Sequence, residues 1–353
     1  MPGDLQKLIY YNSDTIVATR RFEIANITIS AGERKHFRLR VSTSFISNPT
    51  YIPVTILNGK KKGPVVLIIA AIHGDELNGI EIVRLLSHNL DFTHLSGTII
   101  CVPVVNIYGF QNLTRYLPEG RDLNRTFPGS PDGWAQERYA HIIFTELVRK
   151  SDYVIDLHTA SEGRINLPHI RAEMSHTETA RIARAFGTTV ILNSSGYPGT
   201  LRRAALEAGI PAIVFEAGET RKFDKKIAEK GVEGVLNLLR ELKMFPEEPF
   251  YNPVQFVVDD TIWIRVDRGG ILLINTRPGK IVKKNQEIAA NTNPFGVEVE
   301  RIRAPFSGII MGIVNTPTVN PGQGICHISK LTESRKKLQK RLFDYFGKKR
   351  IVF

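Results

Sequence analysis

Cysteine is scarce, with two in 353 residues. Cys101 and Cys326 lie far apart, each inside an apolar, strand-like run ("TIICVPVV", "GICHIS"). This excludes a disulfide framework, and the absence of metal-site spacing excludes a cysteine-rich zinc module, so buried thiols are expected. Long hydrophobic runs are missing too. No apolar stretch approaches the ~20 residues a membrane span requires. The opening "MPGDLQKLIYYNSD" has no basic segment followed by an apolar one, so the expectation is a cytoplasmic protein with no membrane span.

What is present is the composition of a globular protein, 42% hydrophobic and 23% charged, on a chain long enough for two or three units. The formal net charge of +12 points toward an acidic partner, but half of it sits in the last 23 residues, where eight Lys/Arg face two Asp/Glu. With Leu338, Leu342 and Phe343 on one side, that tail reads as a basic helix docked on the body. No nucleic-acid motif accompanies it, and no nucleic-acid partner is expected.

Residues 1–50 alternate short β-like stretches with turns and read as an N-terminal β segment joined to the larger α/β unit. Over 51–250, apolar runs ("PVVLIIAAI", "GTIICVPVVN", "DYVIDLHT", "TTVILN", "PAIVFEAG") alternate with amphipathic helical patterns. That texture predicts an α/β unit with a mainly parallel mixed sheet flanked by helices. After "FPEEPFYNP" the chain turns to short β-runs with glycine turns. Residues 251–330 thus read as a small all-β unit like the barrel-sandwich domains that carry biotin or lipoate, although "NTNPFGVEVE" lacks the lysine a carrier needs. The basic tail, 331–353, is the fourth segment.

In open α/β sheets, ligands bind outside the carboxyl ends of the strands. His73 with Glu76, Asn106, His158 and Glu216 all fall at such ends. His73 and Glu76, at i and i+3, can reach one ion. His158 completes a two-histidine, one-carboxylate set with an open position, the pattern of catalytic zinc. Glycines 74 and 79 suit a tight turn there. Asp156, two residues before His158, lies on the same strand face and could hold the imidazole's other nitrogen or merely satisfy backbone. The loop "TRYLPEGRDLNRTFPG" carries Arg115, Asn124 and Arg125, groups able to clamp a carboxylate or polarise a carbonyl. Glu216, a carboxylate at a strand end and partly out of water, suits a general base; Glu219 ranks behind it.

Taken in order, "HGDELNG", "TRYLPEGRDLNRTFPG", "DLHTA" and "PAIVFEAGE" resemble the succinylglutamate desuccinylase and aspartoacylase family, a branch of the zinc carboxypeptidase fold. The resemblance implies one zinc per chain, held by His73, Glu76 and His158. It makes Glu216 the general base and acid and Arg115 the carbonyl-polarising arginine, with Asn124 and Arg125 on the substrate α-carboxylate. The implied reaction is hydrolysis of the amide of a small N-acyl amino acid by metal-activated water. A metallocarboxypeptidase acting on a short peptide with a free carboxylate is the alternative, a non-catalytic scaffold the third reading. A further substrate arginine falls on Arg202 or Arg203. Arg164, His169 and Arg171 in "EGRINLPHIRAEM" would read a second carboxylate or lie in a solvated loop. Homo-oligomerisation stays open.

Overall fold

A computed structural model of the chain describes residues 20–44 and 46–330. The basic tail lies outside the described residues. The hairpin β1 (Arg21–Ile24) and β2 (Ile27–Ser30) leads into three long strands, β3 (Arg34–Thr43), β4 (Pro49–Asn58) and β5 (Lys61–Ala70). Helix α1 (Asn78–Asn89), β6 (Ser96–Val102), α2 (Ile107–Gln111) and α3 (Ala135–Glu146) follow. Next come β7 (Tyr153–His158), β8 (Arg164–Ala172), α4 (Thr177–Ala185), β9 (Val190–Asn193), α5 (Leu201–Glu207), β10 (Ala212–Gly218) and α6 (Lys225–Glu241). The rest is β: β11 (Phe256–Val258), β12 (Thr261–Arg265), β13 (Gly270–Ile274), β14 (Ile281–Val282), β15 (Glu287–Thr292), β16 (Glu298–Arg303), β17 (Gly308–Val314), β18 (Thr318–Val319) and β19 (Gly324–Lys330).

The fold is mixed α/β with one large sheet flanked by helices. Along its main path the strands run β12-β19-β17-β8-β10-β7-β5-β6-β4-β3. The centre, β10-β7-β5-β6, is parallel. Its flanks are antiparallel, with β8 beside β10 and β4 beside β6. The central strands read as unbroken apolar runs because both faces are covered. On one face Ile82, Val83, Val235 and Leu238 of α1 and α6 pack on Ile68, Ile155 and Phe215. On the other, Tyr139, Ile143 and Ala204 of α3 and α5 pack on Leu67, Ile69 and Val154. Residues near the end of the chain build a third cluster around Val266, Leu272, Ile302 and Ile328. Strand β17 also pairs with β8, so this β region is hydrogen-bonded onto the large sheet. Cys101 and Cys326 are buried and unpaired, their thiols pushed up to about 12 by burial. Among the described residues, no helix is long and apolar enough to cross a membrane.

The segment "EGRINLPHIRAEM" is not a loop. It forms β8, next to the parallel core, and its Pro168 and its alternating charged residues conceal a strand that faces a polar cavity on one side. The turn after β5 differs as well. Ala71, with φ 51, swings the chain off the strand end, a left-handed conformation costly for a residue with a Cβ. Gly74 lies inside the tight turn closed by the Glu76 N–H on the His73 carbonyl at 3.2 Å, but neither it nor Gly79 has a left-handed φ, and close approach is what both require. A Cβ on Gly74 would stand 1.9 Å from the Gly109 carbonyl carbon, and one on Gly79 would stand 2.9 Å from the Ala70 and Leu157 Cβ atoms. The turn carrying His73 is therefore pressed directly onto α2. Gly74→Ala should lower unfolding free energy by about 1–3 kcal/mol, since backbone and not a pliable side chain must yield. Denaturant unfolding checks this, and wild-type stability would contradict the packing described.

Candidate active site

The carboxyl ends of β5, β7 and β10 open on a cavity of ≈ 240 Å³. His73 and Glu76 come from the turn between β5 and α1, and His158 is the last residue of β7. The register sets Glu216 of β10 directly beside His158. All three metal-capable residues are buried, and one ligand atom from each falls within 4.8 Å of the others.

Glu76 organises the group. One oxygen lies 2.6 Å from His73 Nδ1 and the other 2.8 Å from His158 Nδ1, and the latter oxygen also accepts from the Thr159 backbone N–H at 2.9 Å. Each imidazole turns its Nε2 to a further carboxylate. Asp156 Oδ2 stands 2.9 Å from His158 Nε2 and Asp122 Oδ1 stands 3.3 Å from His73 Nε2. Both are charge contacts without the alignment of a full hydrogen bond. Burial alone would push Glu76 up, but the imidazoles hold it well below the usual carboxylate range. Burial would likewise lower His158, yet Asp156 and Glu76 outweigh it and hold the pKa well above the ordinary value; His73 is raised in the same way.

This donor set fits a divalent metal. Three carboxylates with Arg115 leave two negative charges, which two imidazolium protons or one dication would match. Paired Nδ1 atoms, a carboxylate between them and an acid behind each ring are the arrangement that orients histidine ligands.

Arg115 is held by Asp122, with Nη2 at 2.8 Å and Nε at 3.1 Å from Oδ2, which leaves Nη1 3.2 Å from His73 Nδ1 at the cavity wall. Asn124 spends its Oδ1 on the Leu201 N–H at 2.9 Å, so its NH₂ is the group left for a ligand. Arg125 donates to the Asn124 carbonyl at 2.6 Å and stacks 5.6 Å from the Tyr197 ring. Glu216 accepts from Asn166 Nδ2 at 3.0 Å and pairs with Arg171 Nε at 3.2 Å. Arg202 lines the cavity with its guanidinium on the Ser194 carbonyl, whereas Arg203 pairs with Glu207 and does not line it.

Other candidates fall away. Asn106 caps α2 through the Gly109 N–H and is fully buried. His169 is sealed from the cavity, its pKa pushed down to about 3 by burial. Glu219 pairs with Lys222 outside it. The sequence reading missed Asp122, an acid inside a basic loop, and that anomaly was the available signal. It also missed Trp263 of β12, which carries Arg164 4.4 Å from its ring and closes the cavity from the C-terminal β region. No local pattern marked that tryptophan.

Residues 62–242 match the succinylglutamate desuccinylase/aspartoacylase catalytic domain. The chain belongs to this family. That match runs from β5 through α6 and contains every site residue named above except Trp263. Among its relatives is the N-α-acetyl-L-2,4-diaminobutyric acid deacetylase of Halomonas elongata, 28% identical over 300 residues, covering 80% of this chain and 86% of that protein. The fold is shared with a succinylglutamate desuccinylase/aspartoacylase from Rhodobacter sphaeroides (TM-score 0.76, 22% identity, 85% of this chain and 96% of that one). It is shared equally with the product-bound ectoine utilization protein EutE (DoeB) from Ruegeria pomeroyi (TM-score 0.76, 20% identity, 84% and 95%).

Removing the acid behind either imidazole should weaken metal binding about 10–100-fold without unfolding the protein. Metal titration of Asp122→Ala and Asp156→Ala checks this, and wild-type affinity in both would show that those aspartates do not orient the ligands.

Proposed function

We propose that the protein is a metal-dependent deacylase, zinc being the default ion, that hydrolyses the amide bond of a small N-acyl amino acid. The observation that carries this is the buried His73–Glu76–His158 group facing Glu216 and Arg115 across a cavity of ≈ 240 Å³. A bound dication would activate water and polarise the acyl carbonyl. This chain's own groups do the rest. The Asn124 amide and Arg125 hold the α-carboxylate, fixing the scissile amide over the histidines. Arg115, anchored by Asp122, presents Nη1 to the acyl oxygen as negative charge grows there. Glu216 takes the proton from the attacking water and delivers it to the departing nitrogen. Residues 51–250 would form the catalytic unit and 251–330 a β unit that narrows its mouth. The cavity volume lies below that of ordinary drug-sized pockets, which favours a small acyl amino acid over the peptide of a carboxypeptidase.

Charge argues for the substrate class. Arg202 is 5% exposed and, among the described residues, has no carboxylate within ion-pair distance; burial lowers its pKa to about 10. Arg164 rests on Trp263 and, in the same sense, also lacks an acidic partner. A buried cation such as Arg202 is costly without a paired counter-ion unless a ligand supplies the anion, and Arg164, only half-buried, adds positive charge to the same cavity. A substrate with a second carboxylate meets that need, and the ammonium of a diaminobutyrate derivative does not.

Glu216→Gln should keep its metal and lose about 10²–10⁴-fold in kcat. Amine release should be faster from N-succinylglutamate or N-acetylaspartate than from Nα-acetyl-2,4-diaminobutyrate, and Arg202→Ala should erase roughly 10–100-fold of the difference, the worth of one charge-assisted contact. Preference for the diaminobutyrate substrate would reverse the charge argument, and cleavage of peptides alone would replace the deacylase with a carboxypeptidase.

A further inference from the structure

We propose that Asn166 is the positioning residue for the Glu216 carboxylate, and that the C-terminal β region sets Asn166 through Gly312. This rests on the reading of Glu216 as the base. Of the two groups on Glu216, Asn166 makes the aligned hydrogen bond, Nδ2 to Oε2 at 3.0 Å. Arg171 Nε stands 3.2 Å from Oε1 but lacks hydrogen-bond alignment. Orientation of the carboxylate therefore falls to the amide.

The amide reaches Glu216 because of an irregularity in the ladder. Strand β8 pairs His169 with Glu216 and Asn166 with Gly218, so three steps on β8 are matched by two on β10. Leu167 and Pro168 both fall opposite Ala217, and proline, which has no N–H to give the ladder, suits such a bulge. A single extra residue inverts which face each later side chain takes. Without it Leu167 would stand opposite Gly218 and Asn166 would point to the far side of the sheet. The lining residues agree. Leu167 and Pro168 join Phe215 around a separate cavity on the far face, whereas Asn166 and Arg171 line the active-site cavity with Glu216.

On its other edge β8 pairs with β17, and the residue opposite Asn166 is Gly312. A Cβ on Gly312 would lie 2.6 Å from Asn166 Oδ1, closer than such atoms approach. Its φ is not in the left-handed region. Backbone freedom thus does not explain this glycine; the space taken by the amide does, with the Ile165 carbonyl oxygen next nearest at 3.1 Å. The C-terminal β region in this way backs the side chain that aims the base, in addition to closing the cavity through Trp263.

The test is a double-mutant cycle read by amine release from N-succinylglutamate and N-acetylaspartate, with metal content measured for every variant. Asn166→Ala should lower kcat about 10–100-fold with KM changed less than about threefold, the signature of a misplaced base and not of lost binding. Gly312→Ala should lower kcat in the wild-type background but by less than about twofold once Asn166 is alanine, since the severe collision, with the amide, is gone and only the milder contact with the Ile165 carbonyl is left. Should Gly312→Ala alone fail to fold, the double variant is expected to fold, which reports the same collision, and kcat of Asn166→Ala decides. Wild-type kcat in Asn166→Ala, or an equal cost of Gly312→Ala in both backgrounds, overturns the proposal. Undiminished turnover in Glu216→Gln, or no release by the wild type from these substrates or from Nα-acetyl-2,4-diaminobutyrate, overturns instead the reading on which it rests.

Discussion

Glu76 is a carboxylate with almost no access to water, and the site depends on how its charge is met. An uncompensated buried carboxylate costs several kcal/mol. Here the compensation is two imidazoles, each presenting Nδ1 to one of the two carboxylate oxygens, at 2.6 and 2.8 Å. For those rings to be there, β5 and β7 must lie side by side in parallel register, and the chain must leave β5 through the strained turn at Ala71. The parallel core is in this sense the jig for one carboxylate and two rings. The acids behind the rings, Asp122 and Asp156, complete a charge arrangement that a dication would satisfy as two protons do.

Around that centre the elements divide the labour. The loop after α2 supplies Arg115, Asn124 and Arg125, and Asp122 ties the first of these to the histidine wall. Strand β10 brings Glu216 abreast of His158. Strand β8, wedged between β10 and β17, carries Arg164, Asn166 and Arg171 into the cavity, so it links Glu216 to the C-terminal β region. The balance of charge in the cavity then turns positive, which is what a substrate with more than one carboxylate would find complementary.

Much of this was legible in the sequence where one physical cause dominated. Strands β5, β7 and β10 are buried on both faces and so read as apolar runs, and the polar residues at their ends could be placed on one edge from the sequence alone. Strand β8 was not legible, because one of its faces lines a polar cavity and its bulge carries a proline, features that imitate a loop. Asp122 was hidden in a basic segment, its role depending on how the loop folds back on His73. Trp263 meets the site only through strand pairing some hundred residues downstream of β8, which no local pattern encodes. The tight turn at Gly74 was legible, but the close packing that leaves no room for a Cβ at Gly74 and Gly79 was not, because it depends on Gly109 and Leu157 arriving from elsewhere in the chain.

The central claim is that the His73–Glu76–His158 group holds the ion on which amide hydrolysis depends. The most direct measurement is to strip the purified protein with a chelator, then follow amine release from an N-acyl dicarboxylic amino acid as zinc is added back, with bound metal quantified at each step. No turnover is expected in the stripped protein, and recovery should saturate at about one ion per chain. Full turnover by protein that contains no metal would contradict it.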